Sequence, residues 1–171
     1  IQRDGKIVVA GISGGDLALA RFNSDGSLDT SFDGDGIATL VLPENQEIFD
    51  IAIQPDGKII VGGNTGNSIS AQDFMVVRFN ANGSPDASFG PTGIGVIQTS
   101  FNAGDVFSSV AVQSDGKIIA GGYTFNSSFS DVYFALIRIT ATGSLDTTFD
   151  TDGKLTTTIG QEASIDKVLV Q

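Results

Sequence analysis

Cysteine and histidine are absent from the sequence, and methionine occurs once and proline four times in 171 residues. Without cysteine the chain cannot form disulfides or use a thiol nucleophile, and without histidine it has no histidine-based acid–base pair. Zinc sites built from cysteine and histidine are excluded for the same reason. Any catalysis by this chain would therefore have to rely on carboxylates.

Basic residues are also scarce: nine Lys and Arg stand against 20 Asp and Glu, and the formal net charge is −11. Nucleic acid is a poor partner for such a chain, because phosphates need a basic surface. No apolar run approaches the ~20 residues of a membrane span, and no stretch has the 3.6-residue period of an amphipathic helix. We therefore expect neither a nucleic-acid partner nor insertion into a membrane.

Glycine is abundant, at 22 residues, and much of it belongs to motifs that recur three times in the same order. The motifs are Asp-Gly-Lys-Ile at 4–7, 56–59 and 115–118; Arg-Phe-Asn at 21–23 and 78–80, with Arg-Ile-Thr at 138–140; and Leu/Pro-Asp-x-Ser/Thr-Phe at 28–32, 85–89 and 145–149. The chain is therefore a tandem array of three repeats.

Each repeat is predicted to form four strands, twelve in all, with negligible helix. Asp-Gly is expected to turn the hairpin between the first two strands, since glycine accepts a positive φ without strain. The third strand, 74–79 in the second repeat, is apolar at consecutive positions and must be buried on both faces. A four-stranded sheet covered on both faces by copies of itself is a propeller blade. We predict an all-β fold of β-propeller blades, built from three four-stranded antiparallel repeats and part of a larger propeller.

The segment from Gln54 to Gly90, QPDGKIIVGG…DFMVVRFNANGSPDASFG, resembles the delta-sixty repeat, and so do its two counterparts. The resemblance covers essentially the whole chain. It implies a bacterial β-propeller repeat found in tandem in large secreted or cell-surface proteins, with no settled activity. The second repeat departs from the pattern at 90–93, where the other copies keep acidic residues at 33–36 and 150–153.

The motif spacing divides the chain into repeat 1 at 1–52, repeat 2 at 53–111 and repeat 3 at 112–169, with 165–171 as the first strand of a following blade. Repeat 1 is a partial blade that lacks most of its first strand. Propellers usually have four to eight blades. We therefore expect the ring to be closed by further blades of the same chain or by a second copy that receives residues 165–171 into its first blade.

Loop lengths favour one face of the propeller for binding. From the repeated arginine to the phenylalanine of the third motif, the spacing is the same in all copies, at 21–32, 78–89 and 138–149. The stretch before the arginine varies in length, at 11–21, 63–78 and 122–138. Repeat proteins often bind through the face that carries such insertions. The candidate ligand-binding residues there are Asn64, Asn67, Tyr123, Phe125, Asn126 and Phe129. The alternative for the aromatic residues is that they fold back over the core.

A repeated arginine interrupts the third strand, and an aspartate follows it eight positions later. The pairs are Arg21 and Asp29, Arg78 and Asp86, and Arg138 and Asp146. Because buried charges are rarely left unpaired, these residues are predicted to form structural ion pairs. The alternative is a ring of guanidinium groups that binds an anionic ligand.

Two Asp-x-Asp-Gly segments are similar to parts of calcium-binding loops. They supply the candidate metal ligands Asp33, Asp35, Asp150 and Asp152. Calcium takes six to eight oxygen ligands, but each segment offers two aspartates and the middle repeat lacks both. No cofactor is expected, and calcium is the ion that the sequence leaves open.

Three functions follow, in order of preference. The first is a non-catalytic module of a bacterial surface or secreted protein, which binds an unknown protein or glycan or acts as a scaffold through its variable-loop face. The second is a calcium-stabilised structural array. The third, a glycan-active enzyme, needs a pair of carboxylates. The unrepeated acids are Glu44, Glu47, Asp50, Asp105, Glu162 and Asp166, and nothing in the sequence singles out a pair.

Overall fold

The structure is a computed structural model that describes residues 1–101, 103–158 and 164–170, with the backbone alone at position 69. Within these ranges the chain forms strands and one 3₁₀ helix of three residues (Ile69–Ala71). No helix in the described ranges is long and apolar enough to cross a membrane. The strands are β1 (Ile7–Ser13), β2 (Asp16–Phe22), β3 (Ile37–Leu40), β4 (Gln46–Ile53), β5 (Ile59–Thr65), β6 (Asp73–Phe79), β7 (Val96–Thr99), β8 (Ala103–Val112), β9 (Ile118–Phe125), β10 (Val132–Ile139) and β11 (Lys154–Thr157). The predicted all-β fold is confirmed.

The strands form three antiparallel sheets, each built from strands that follow one another along the chain. Sheet 1 has the order β1-β2-β3, sheet 2 the order β4-β5-β6-β7, and sheet 3 the order β8-β9-β10-β11. Sheet 1 contains the counterparts of strands two, three and four of the other sheets. Sheets 2 and 3 begin before residues 53 and 112, where the second and third repeats are predicted to start, because the repeated motif begins at the end of strand one.

The structure has eleven strands in its described part rather than the predicted twelve. The difference lies at 165–171. Residues 164–170 contain no strand, since no described strand lies beside them to share hydrogen bonds, and Gln171 is outside the described residues.

The sheets pack face to face through two hydrophobic cores. Strand β6 contributes to both: Met75 and Val77 belong to the core between sheets 1 and 2, whereas Phe74 and Val76 belong to the core between sheets 2 and 3. Every residue of β6 after Asp73 is buried. The prediction that the third strand is buried on both faces is confirmed for this middle sheet.

The outer sheets are buried on one face only. Strands β2 and β10 alternate between buried and half-buried positions. The sequence pattern predicts full burial of Ile119 and Leu136, but both are half-buried. The reason is that sheets 1 and 3 each pack against a single neighbouring sheet in the part of the chain that the structure describes.

Paired small residues in the second strands make room for a bulge in the first strands. A Cβ atom at Gly63 would overlap the carbonyl oxygen of Glu47, and one at Gly122 would overlap that of Val106. In both sheets the register of the first strand shifts next to this point, between Ile48 and Asp50 and between Phe107 and Ser109. Glycine is required there because the bulged backbone approaches too closely for any side chain.

Candidate functional site

The two ends of the sheets carry different kinds of turn. At one end the Asp-Gly hairpins are alike, with φ of 84° at Gly5, 87° at Gly57 and 84° at Gly116, and the predicted turns at 56–57 and 115–116 are confirmed. At the other end the loop between the second and third strands spans 14–15 in sheet 1, 66–72 in sheet 2 and 126–131 in sheet 3. We call this second end the variable-loop face.

The long loop of sheet 2 builds a polar pocket on the variable-loop face, which we call the sheet-2 pocket. Its lining residues are Asn45, Glu47, Asn64, Thr65, Gly66, Asn67, Ser68 and Gln72. Its volume is about 250 Å³. Amides, hydroxyls and a carboxylate dominate this lining, so the pocket offers both donors and acceptors to a polar ligand.

Asn64 and Thr65 are the deeply buried lining residues of this pocket, and Asn64 has 1% of its surface exposed. Its Oδ1 accepts a hydrogen bond from the backbone N–H of Phe107 in sheet 3, at 2.7 Å. Its Nδ2 has no hydrogen-bond partner among the described residues. A buried amide donor without a hydrogen-bond partner costs free energy. Because Asn64 lines the pocket, a bound ligand that accepts a hydrogen bond from Nδ2 would remove this cost.

The loop that forms the pocket is anchored to its surroundings. Gln72 donates from Nε2 to Oε2 of Glu47 at 3.2 Å, and its carbonyl oxygen accepts from the backbone N–H of Asp105 at 2.9 Å. At the other end of the loop, the N–H of Gly66 donates to the carbonyl of Asn45 at 3.0 Å, with a φ of 141° that favours glycine. These bonds hold the loop in the shape that forms the pocket.

The loop of sheet 3 is closed on itself. Oδ1 of Asn126 accepts from the backbone N–H of Ser130 at 2.9 Å, and Nδ2 donates to Oδ2 of Asp131 at 2.6 Å. This residue therefore caps its own loop, and its side-chain groups are occupied within it.

The aromatic candidates form a chain of ring contacts. The ring centroids of Tyr123 and Phe125 are 5.7 Å apart, and those of Phe125 and Phe129 are 5.3 Å apart. Because side chains alternate along a strand, Tyr123 and Phe125 share a face of β9 with Gly121, away from the core between sheets 2 and 3. The predicted ligand-binding residues thus lie in two places, with only Asn64 and Asn67 in the pocket.

The repeated arginine and aspartate are in contact in all three sheets. The distances from Nε to Oδ2 are 2.6 Å for Arg21–Asp29, 2.7 Å for Arg78–Asp86 and 2.8 Å for Arg138–Asp146. The contacts predicted for the second and third pairs are therefore present. Their burial favours the structural role over an anion-binding ring.

Two further partners of each pair were missed by the sequence prediction. The lysines of the first motif bind the same Oδ2 atoms, at 2.7 Å for Lys6, 2.8 Å for Lys58 and 3.0 Å for Lys117. The guanidinium groups lie over the rings of Phe32, Phe89 and Phe149, at 4.6, 4.2 and 4.8 Å from their centroids. The sequence does contain a signal for both contacts, because this lysine and this phenylalanine recur in every repeat that has the Arg–Asp pair.

Arg21 and Arg78 also bind the next sheet. Nη1 of Arg21 donates to the carbonyl of Ala81 at 2.7 Å, and Nη1 of Arg78 donates to the carbonyl of Ala141 at 2.6 Å. Each acceptor lies in the turn between the third and fourth strands of the following sheet. One ion pair therefore holds its own sheet together and fixes its neighbour.

The aspartates of these networks are strongly acidic. Hydrogen bonds from Lys6 and then Ser31 hold the pKa of Asp29 well below its usual range. Burial opposes ionisation of Asp86, but its bonds with Lys58 and Ser88 outweigh that effect, so its pKa is also lowered. Hydrogen bonds from Thr148 and then Lys117 lower the pKa of Asp146 in the same way.

The candidate metal ligands serve as turn residues. Oδ1 of Asp35 and Oδ1 of Asp152 each accept the backbone N–H two residues later, both at 2.9 Å. Asp33 and Asp150 adopt positive φ, at 49° and 45°. Within the described ranges, no group of three or more His, Cys, Asp or Glu side chains is placed to hold a metal ion. Asp150 and Asp152 share a cavity of about 430 Å³ with Lys154, whose charge disfavours a cation.

Two of the unrepeated acids lie at the sheet-2 pocket, since Oε2 of Glu44 accepts from the hydroxyl of the lining residue Thr65 at 3.3 Å. Glu47 lines the sheet-2 pocket, and Asp105 is buried with its Oδ1 accepting from Thr124 at 2.5 Å. Burial opposes ionisation of Asp50, but the hydrogen bonds that it accepts from Lys167, Val110, Ser109 and Ile51 together outweigh burial and lower its pKa. Glu162 lies outside the described residues.

Comparison with curated proteins finds no match for this chain. Comparison with protein-family models matches the family described as "Domain of unknown function (DUF5122) beta-propeller" at residues 2–32, 54–89 and 113–149. Each matched segment contains one copy of the three motifs, and together the segments cover more than half of the sequence. The face-to-face packing of three antiparallel sheets agrees with that match. The chain therefore belongs to the DUF5122 β-propeller family, and its sheets are propeller blades.

Proposed function

We propose that this propeller module is a non-catalytic binding module whose sheet-2 pocket takes hydroxyl-bearing groups of a glycan. The observation that carries the proposal is the unpaired Nδ2 of Asn64, which is buried and lines a polar pocket on the face where the loops vary. A sugar hydroxyl would accept a hydrogen bond from this donor. A polar segment of a partner protein is the alternative ligand.

The chemistry of the pocket supports a small polar ligand. Asn67 and Ser68 are exposed at the pocket, where they are free to meet a ligand from solvent. The volume of about 250 Å³ is slightly below the roughly 300 Å³ at which sites for drug-sized ligands begin. One sugar ring at the end of a chain therefore fits better than a large apolar molecule.

A binding role is favoured over hydrolysis by the number of carboxylates. Glycosidases use two carboxyl groups that flank the scissile bond, about 5 Å apart in retaining enzymes and roughly 6.5–9.5 Å apart in inverting ones. Glu47 is the one acid among the described residues that line the pocket, and its carboxylate accepts from Gln72. We therefore propose that the module binds its ligand without cleaving it.

The location of the protein is part of the proposal. The resemblance of the three repeats to the delta-sixty repeat supports a bacterial secreted or cell-surface protein. On such a surface, tandem blades would act as a scaffold that presents the variable loops to external glycans.

The test is a glycan array, followed by calorimetry with each glycan that binds. Asn64→Asp keeps the acceptor for the N–H of Phe107 but removes the unpaired donor, and Asn67→Ala removes an exposed amide of the pocket. Since one hydrogen bond contributes about 1 kcal/mol, each change should weaken binding roughly fivefold or more.

The matched control is Asn82→Ala, which removes an exposed amide from the opposite face of the blade and should leave binding unchanged. Thermal melts of all variants separate lost binding from lost folding. Equal binding by the parent chain and by Asn67→Ala and Asn64→Asp would disprove the role of the pocket. Release of reducing sugar from a bound glycan would disprove the non-catalytic assignment.

A further inference from the structure

The sheet-2 pocket contains a pair of polar side chains that the third blade does not have at the same position. Glu47 of β4 and Asn64 of β5 are directly opposite each other in the strand register, and both line the pocket. The matching pair in the third blade is Val106 and Tyr123. Side chains that are directly opposite in an antiparallel pair lie on the same face, with Cβ atoms about 4.5–5.5 Å apart. The second blade therefore places a carboxylate and an amide side by side at its pocket.

The hydrogen-bonding groups of this pair are not used up by the protein. Nδ2 of Asn64 has no hydrogen-bond partner among the described residues, so it does not bond to the neighbouring carboxylate. Oε2 of Glu47 accepts from Gln72 at 3.2 Å, which leaves Oε1 of the same carboxylate for a ligand. The pocket thus offers one donor and one acceptor that lie next to each other.

The negative charge of Glu47 has no counter-ion within the described part of the chain. The residues that line the pocket include no lysine or arginine. Glu44, whose carboxylate binds the lining residue Thr65, adds a second negative charge beside the pocket. Neither glutamate forms an ion pair with a described residue. The pocket is therefore electrostatically suited to a positive group and unsuited to an acidic one.

The bases of the chain are committed elsewhere. Seven of the nine are paired with other acids: Lys6 and Arg21 with Asp29, Lys58 and Arg78 with Asp86, Lys117 and Arg138 with Asp146, and Lys167 with Asp50. Of the other two, Arg3 lies in the hairpin turn at the opposite face, and Lys154 donates to the carbonyl of Ser100 at 2.6 Å. A positive group at the pocket would therefore have to come from a ligand.

A bare metal ion fits this pair poorly. Calcium takes six to eight oxygen ligands, and the described residues include no group of three or more acids that could hold a metal ion. Nδ2 of Asn64 is a donor, so it would turn its hydrogens toward such an ion. The pair instead suits a ligand that carries a cationic donor and an oxygen acceptor on neighbouring atoms.

We propose that the sheet-2 pocket binds the terminal hexosamine of a glycan whose amino groups are free. On such a sugar the ammonium group and a hydroxyl are on adjacent carbons of one ring. The ammonium group donates to the carboxylate of Glu47, and the neighbouring hydroxyl accepts from Nδ2 of Asn64. This inference rests on the proposed glycan-binding function and adds the class of sugar to it.

Calorimetry with three matched trisaccharides tests the assignment: trimers of glucosamine, of N-acetylglucosamine and of glucose. The glucosamine trimer should bind about fivefold more tightly than the other two, or better, since hydrogen bonds between charged groups are stronger than neutral ones. N-acetylation removes the positive charge, so the second trimer should gain nothing over the third. Added salt should reduce the advantage of the glucosamine trimer, because it screens the charge at an exposed carboxylate.

Glu47→Gln is the decisive variant, because it removes the charge but keeps an oxygen that can accept from Gln72. The three trimers should bind this variant with similar affinity. Asp25→Asn is the matched control: it removes one negative charge from an exposed turn of the opposite face, where the second blade already has Asn82. The control should keep the preference for the glucosamine trimer. Thermal melts of both variants check that each is folded.

The outcomes separate this inference from the proposed function. Equal binding of the three trimers by the parent chain, or an array that binds only glycans without free amino groups, would overturn the amino-sugar assignment and leave glycan binding intact. A preference that persists in Glu47→Gln would reflect general attraction of cations to a chain of net charge −11, and it would also overturn the assignment. An array on which no glycan binds would refute the proposed function and this inference together.

Discussion

Oδ2 of Asp86 accepts hydrogen bonds from two cations at once, Nε of Arg78 at 2.7 Å and Nζ of Lys58 at 2.8 Å. The guanidinium group also lies 4.2 Å from the centre of the Phe89 ring and donates to the carbonyl of Ala141 in the next blade. The second strand, the third strand and the turn that follows are therefore joined at one carboxylate. The bond to Ala141 also links the next blade to this carboxylate network.

Replacing Arg78 with Ala should destabilise the fold strongly. The change leaves Asp86 buried with one cation instead of two and removes the bond to the next blade. Breaking a buried ion pair from one side costs about 3 kcal/mol or more. Urea unfolding of the variant should show this loss in the free energy of unfolding. Arg3→Ala is the control, because Arg3 is exposed, and it should change stability by less than about 0.5 kcal/mol. Similar stabilities for the two variants would contradict the role of the network.

Acid should weaken the fold through the same aspartates. The pKa values of Asp29, Asp86 and Asp146 are lowered in the folded state, whereas in the unfolded chain they return to about 3.9. Below that value the unfolded state binds more protons, so stability is fully present at neutral pH and is lost as the pH falls below about 4. Urea unfolding between pH 7 and pH 2 measures this slope.

The slope should be shallower in Asp86→Asn, which carries one such carboxylate fewer. If the free energy of unfolding instead rises as the pH falls from 4 to 2, the ionised forms of these carboxylates are not stabilised by their cations.

The sequence was sufficient to predict the blades because their determinants are local and repeated. The Asp-Gly turn, the apolar third strand and the Arg–Asp spacing each recur with their own motif, so three copies support every assignment. The half-burial of Ile119 and Leu136 could not be predicted in this way. Burial on the outer face of a blade depends on which sheet packs there, and the repeat pattern is the same for inner and outer blades.

The sheet-2 pocket was only partly predictable. Loop length pointed to the face that holds this pocket, and Asn64 and Asn67 lie in the pocket. The same reasoning also selected Tyr123, Phe125 and Phe129, because aromatic residues in a loop suggest a binding surface. The face of β9 on which such a ring lies is set by strand register. An unpaired amide such as that of Asn64 becomes visible only when all its neighbours are placed.

Calcium should have little effect on this chain. The Asp-x-Asp-Gly turns provide two side chains each, and Asp35 and Asp152 already accept backbone N–H groups. Six to eight oxygen ligands are needed for a firm site. We expect no shift in the melting temperature between millimolar calcium and a chelator, with magnesium as the control ion. A calcium-specific rise of several degrees that is abolished by Asp152→Asn would instead favour a calcium-stabilised array.

A methyl group at Gly63 should disrupt blade 2. The Cβ atom of Gly63→Ala would overlap the carbonyl oxygen of Glu47, which belongs to backbone and cannot swing away. The bulge in β4 would have to shift, and the sheet-2 pocket would shift with it, because Glu47 and Asn64 line its wall. We expect a loss of about 2 kcal/mol or more in the free energy of unfolding, as overpacking costs typically 1–3 kcal/mol. Gly11→Ala is the matched control, since a Cβ atom there meets no described atom within 4 Å and the substitution should be neutral. If both variants unfold at the same urea concentration as the parent, the bulge does not require glycine and the close approach of β4 to β5 does not hold in solution.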